Sequence, residues 1–142
     1  MLPKILMFLA LILPSALYAQ SATPYDRSTF GSWADIDHDC QNTRHELLAE
    51  LSTAIVALSA NECRVTHGRW IDPYSGKVFF ESKYLDIDHL IPLKFAWEHG
   101  ASGWSDRQRR AFANDTLNLF AVETHLNRQK GAKDLRNGYP QT

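Results

Sequence analysis

Apolar positions along this chain fall into three patterns: one unbroken run, one helical stripe and several short strand-like runs. The unbroken run, Ile5 to Leu13, lies inside "MLPKILMFLALILPSALYAQ", with one lysine before it and small residues ending at Ala19 after it. A charged head, a short apolar core and a small residue before a cut form the layout of a secretory signal peptide. The run is also shorter than the roughly 20 apolar residues that a membrane span requires. Residues 1–19 are therefore expected to be a signal peptide, with an uncleaved anchor as the alternative, and residues 20–142 the mature protein.

The stripe lies in "TRHELLAELSTAIVALSA", where Leu47, Leu48, Leu51, Ala54, Ile55 and Leu58 recur at helical spacing. Thr43 and Glu46 have the T-x-x-E spacing of a capping box, so one amphipathic helix is expected from Thr43 to about Leu58. The short runs follow. "RVTHGRWIDPYSGKVFFES" predicts two strands around Asp72-Pro73-Tyr74-Ser75-Gly76, and "YLDIDHLIPL" a strand stopped by Pro92. "LKFAWEHG" predicts a short helix closed by Gly100, and Ser105 with Gln108 a second capping box that opens a helix through Ala113. Leu119 to Val122 reads as a strand, Thr124 as an N-cap, and Leu126 to Lys130 as a helix ended by Gly131. Without repeats or low-complexity tracts, this order predicts a single small α+β domain with an N-terminal helix.

Composition changes the picture in two places. Only Cys40 and Cys63 are present, and export would put them in an oxidising compartment where one disulfide is expected; two buried thiols are the alternative. The net charge is −1, but its distribution is uneven. From Tyr25 to Glu62 two basic residues face seven acidic ones, whereas from Ser105 to Thr142 seven basic residues face four acidic ones. A polyanion would therefore meet the C-terminal third, where Arg128 and Lys130 lie, although a solvated helix face explains Arg107, Arg109 and Arg110 equally well.

The tetrapeptide "DIDH" occurs twice, at Asp35–His38 and Asp86–His89. The second copy ends a predicted strand, and downstream come Asn118, Asn127 and Lys130. Residues three apart on a helix share a face, so Asn127 and Lys130 can point at one place. Asp88 and the Asn127 side-chain oxygen are hard ligands for one divalent cation, Mg²⁺ first and Mn²⁺ second. His89 has the pKa range of a general base, and Lys130 can hold a phosphate. Asp86 shares a strand face with Asp88, as an outer carboxylate or a solvent residue. The first copy adds Asp39 but lacks a matching Asn and Lys set, and it lacks the glycine and terminal glutamate of an EF-hand loop. It is expected to be an acidic turn, with an accessory cation site as the alternative.

"DIDHLIPL" followed by "NDTLNLFAVETHLNRQKGAKD" resembles the HNH (His-Me finger, ββα-metal) nucleases, and among them the C-terminal nuclease domain of GmrSD-type restriction enzymes and its secreted relatives. The resemblance reaches back through "TRHELL" and "GRWIDPYSG". It implies a ββα-metal finger over about residues 84–131, with Asp88 and Asn127 as metal ligands and His89 as general base. Asn118 would join the catalytic set by orienting His89 and bracing the finger loop, and Arg44 and Arg69, in the upstream segments, would be phosphate contacts. Asn127 stands where many members have histidine. The expected activity is endonucleolytic hydrolysis of nucleic acid, DNA ahead of RNA, by a secreted or periplasmic monomer with no membrane association after signal removal. A catalytically silent nucleic-acid or metal-binding module is the alternative.

Overall fold

A computed structural model describes residues 23–131; the expected signal peptide and the basic residues Lys133 and Arg136 lie outside the described residues. The chain is α+β, as expected, with antiparallel sheets. One sheet has the order β1 (Ala57–Leu58), β2 (Val65–Ile71), β3 (Val78–Glu81), and the other pairs β4 (Leu85–His89) with β5 (Leu119–Glu123). Among the described residues four α-helices accompany them: α1 (Thr43–Leu51), α2 (Leu93–Glu98), α3 (Asp106–Ala113) and α4 (Thr124–Lys130). No helix among the described residues is long and apolar enough to cross a membrane.

The largest departure from the expected elements is in α1. Its helix stops at Leu51, and the apolar stripe beyond it does not continue: Ile55 is 99% exposed and Leu58 belongs to β1. Ser52 and Thr53 supply the reason. Ser52 Oγ accepts from the backbone N–H of Ala54 and of Arg69, while Thr53 N–H and its hydroxyl both donate to Arg69 O. Side-chain and backbone bonds to β2 thus replace the next helical turn, and β-branched Ile55 and Val56 suit the extended path that follows. Thr43 is the first helical residue and not the cap; Asn42 occupies the cap position, and the Thr43 hydroxyl donates to Ala34 O at 3.0 Å. The second capping box does form, with Ser105 and Gln108 bonded reciprocally at the start of α3. Thr124 is the first residue of α4 and not its cap, a position taken by Glu123, and Gly131 ends that helix at φ +59°.

Two cores result. Leu47 and Leu48 of α1 pack on Val65 and Trp70 of β2 and on Leu85, Ile87, Leu119 and Ala121 of the β4–β5 pair. Trp70 donates its indole N–H to Leu48 O at 2.8 Å, so the ring is satisfied as well as buried. Gly68 is required beside it, because a Cβ there would come within 2.6 Å of that ring. The second core gathers Phe30, Leu93, Ala96, Trp97, Ala101 and Ala113 from the N-terminal segment, α2 and α3. The strand end at His89 lies where the two meet.

Cys40 and Cys63 form the expected disulfide. It ties the loop before α1 to the turn between β1 and β2.

Candidate active site

β4 and β5 run antiparallel in continuous register, from Leu85 opposite Glu123 to His89 opposite Leu119. The tight step from β5 into α4 turns the helix back along β4. Alternation along β4 puts Asp86 and Asp88 on one face, and α4 meets that face with Asn127 and Lys130. Asn127 Nδ2 donates to Asp86 Oδ2 at 3.1 Å, and Lys130 Nζ donates to Asp88 Oδ2 at 2.5 Å. A three-residue helical step rises about 4.5 Å and a two-residue strand step about 6.7 Å, close enough for the two pairs to form side by side.

Asp88 is buried and accepts a second hydrogen bond on the same oxygen, from the Tyr74 hydroxyl at 2.8 Å. Tyr74 belongs to the β2–β3 turn, which is fixed by Asp72. That fully buried carboxylate accepts from Ser75 N–H and hydroxyl through Oδ2 and from Glu123 N–H through Oδ1. The turn is thereby fastened to β5.

His89 is 5% exposed. Its Nε2 lies 2.9 Å from Ala113 O; a carbonyl only accepts, so in the neutral ring the proton is on Nε2 and the lone pair on Nδ1. Trp33 stacks on the imidazole, with centroids 5.8 Å apart and planes 10° from parallel. Burial pushes the His89 pKa below the ordinary histidine value, with the charges of Arg27 and Lys130 adding to the fall; the Ala113 bond and Asp88 oppose it. The ring is thus held in one orientation and disfavoured from taking up charge, with no hydrogen bond on Nδ1 among the described residues.

Asn118 is buried and grips the chain just beyond His89. Its Oδ1 accepts from Ile91 N–H at 2.8 Å, its Nδ2 donates to Ile91 O at 3.2 Å, and its carbonyl accepts from Leu90 N–H. Among the described residues its hydrogen bonds go to this loop and none to the imidazole it was expected to orient.

The basic residues expected to meet phosphate are mostly engaged elsewhere. Lys130, 3% exposed, also donates to His89 O. Arg44 donates to Leu85 O at 2.7 Å and Ser82 O at 3.4 Å, and burial lowers its pKa against the opposing influence of Asp86. Arg69 bonds Thr53. Arg128 is exposed on α4. Trp33, Tyr74 and Ala113 are participants that periodicity alone did not mark; only "DPYSG" lay in a segment with a visible resemblance.

The donor chemistry fits a hard divalent cation. The bonds that Asp88 accepts from Tyr74 and Lys130 both fall on Oδ2, and Asn127 uses its Nδ2, so among the described residues Asp88 Oδ1 and Asn127 Oδ1 remain as oxygen donors. Lys130 offsets one of the two carboxylate charges, which favours weak over tight binding. At the other DIDH copy, Asp35, Asp37 and Asp39 bring carboxylate oxygens within 4.8 Å of one another on a largely exposed loop.

An antiparallel strand pair with Asp-His at the end of β4, backed by the short helix α4, forms the candidate site of this small α+β domain. Residues 41–137 match the family described as "GmrSD restriction endonucleases, C-terminal domain", and the chain belongs to that family. It is 38% identical over 109 residues to a protein of Arthroderma benhamiae described as "Uncharacterized secreted protein", a match over 75% of this chain and 52% of the relative. The chain thus spans about half the length of that relative. No solved structure matches.

Proposed function

We propose that this chain is an exported endonuclease that hydrolyses phosphodiester bonds of nucleic acid, DNA ahead of RNA, as a monomer using one divalent cation. In this reading β4, β5 and α4 are a ββα-metal finger, with Asp88 and Asn127 as the ligands. The observation that carries it is the state of His89: its Nε2 proton is committed to Ala113 O, its ring is stacked on Trp33, and its strand neighbour is Asp88. A positioned base with its pKa below the usual value remains deprotonated at neutral pH. Export is supported by the disulfide, which requires an oxidising compartment, by the layout of residues 1–19 and by the likeness to a fungal protein described as secreted.

Bound Mg²⁺ or Mn²⁺ would supply charge stabilisation for the phosphate and for the departing oxygen. The chain's own residues do the rest. His89 Nδ1 takes a proton from water as the water oxygen bonds to phosphorus and the bond from phosphorus to the 3′ oxygen breaks. That oxygen is protonated from solvent, leaving 5′-phosphate and 3′-hydroxyl ends. Asn118 keeps the backbone after His89 in place, and Asp86 fixes the amide of Asn127.

The test is purified mature protein on plasmid DNA with Mg²⁺ or Mn²⁺, with and without EDTA, beside His89→Ala. Wild-type nicking that EDTA and the substitution both remove is expected. Equal nicking by the two proteins, or none by the wild type in any divalent metal, would sink the reading.

A second reading is favoured by Lys130, whose ammonium already sits on Asp88. The finger would then be a silent nucleic-acid-binding scaffold. It predicts salt-sensitive DNA retention without cleavage and no rise in Tm with Mg²⁺.

A further inference from the structure

Two cavities open on His89. One, of about 270 Å³, is walled by Arg27, Asp88, His89 and Lys94; the other, of about 100 Å³, by Arg27, Trp33, His89 and Ala113. Arg27 is common to both. Of the residues expected to contact phosphate, Lys130 is spent on Asp88, Arg44 on backbone carbonyls and Arg69 on Thr53, while Arg128 is exposed on α4. Arg27 is exposed and makes no hydrogen bond or ion pair with the described residues, and Lys94 has only a loose 3.8 Å pair with Glu98.

The backbone that presents Arg27 is nevertheless fixed. Arg27–Phe30 form a 3-10 turn capped by Asp26, whose carboxylate accepts from Ser28 N–H at 2.8 Å. Phe30 is fully buried in the second core. Farther along, Ala34 N–H donates to Asn114 Oδ1 and Ala34 O accepts from Thr43. A guanidinium without a hydrogen-bond or ion-pair partner among the described residues, on an anchored turn at a cavity lined by a carboxylate and an imidazole, has the form of an anion contact. The turn precedes residue 41, where the family match begins.

We propose that Arg27, assisted by Lys94, binds the non-bridging oxygens of the phosphodiester in the His89 cavity, so that the segment before the family-matched region completes the substrate site. This rests on the nuclease reading. A forked donor can take two phosphate oxygens at once and meet the charge that grows on them as water attacks, whereas Lys94 acts as a point charge at the rim.

The experiment compares wild type with Arg27→Gln, Arg27→Lys and Lys94→Gln, using Arg107→Gln as an exposed control outside the cavity. In Mg²⁺, Arg27→Gln should lower kcat/KM for DNA cleavage roughly 10²- to 10³-fold. Arg27→Lys should recover part of it, and the control should show none of the loss. In EDTA, binding of a short fluorescent DNA duplex should show a slope of log K against log salt that is about 1 smaller for Arg27→Gln. Cleavage that depends on His89 but is unchanged in Arg27→Gln would overturn the proposal and leave the nuclease reading intact. A wild type that never cleaves sinks the nuclease reading; unchanged salt dependence of binding then overturns the Arg27 contact independently.

Discussion

The two DIDH segments are the same four residues in opposite surroundings. In the first, Ile36 is 74% exposed, His38 has a positive φ of 63°, and the neighbouring carboxylates crowd one another on a loop tied down by the Cys40–Cys63 disulfide. In the second, Ile87 enters the core, Asp88 meets a lysine and a tyrosine, and His89 is enclosed by Ala113 and Trp33. What differs is the partners brought by distant chain. An aspartate and histidine acquire a chemical role when burial fixes their orientation and committed neighbours determine which atoms stay available.

The sharpest break in the comparison is catalytic. His89→Ala should reduce cleavage by roughly 10²- to 10⁴-fold, the usual worth of a general base, while His38→Ala leaves it unchanged in the same plasmid assay. Lys130→Met strands Asp88 without its buried cation and should cost about 3–5 kcal/mol in urea unfolding. Asp37→Asn on the exposed loop should stay within about 0.5 kcal/mol. Reduction acts the other way: opening the disulfide should lower stability by about 3 kcal/mol through the loop copy, with His89-dependent cleavage surviving below the new Tm. Asn118→Ala removes both side-chain bonds to Ile91 and should cost about 1–3 kcal/mol.

The smallest effect is that of pH. Because burial lowers the His89 pKa from 6.5, the acid limb of a rate profile should fall below that value, not at it. The same shift means that the unfolded chain binds more protons than the folded one between the lowered and the ordinary pKa. Stability contributed by neutral His89 is therefore present above the ordinary value and is lost as pH falls through the window below it. A limb at or above 6.5 in kcat/KM would show that another group controls the rate.

Strands β2 to β5 and helices α2, α3 and α4 were legible because their signals are local: alternation, Pro92, the Ser105 capping box, and Gly100 and Gly131 as stops. The end of α1 was not, since its apolar spacing continued to Leu58 and only bonds from Ser52 and Thr53 to Arg69 divert the chain into β1. The juxtaposition of Asp88 with Asn127 and Lys130 could be expected from strand and helix periodicity. The identity of each pair could not, and Asn127 turned out to grip Asp86 while Lys130 took Asp88.

By itself, the sequence determined the types of helices α1 to α4 and of strands β2 to β5, the disulfide pair and the small set of polar residues able to do chemistry, because each depends on residue type and near spacing. Only the tertiary structure decided which DIDH is enclosed, which oxygen and nitrogen atoms stay available, and that Trp33 and Arg27 stand at His89. Those outcomes depend on contacts between segments far apart in the chain, and no local periodicity encodes the packing that makes them.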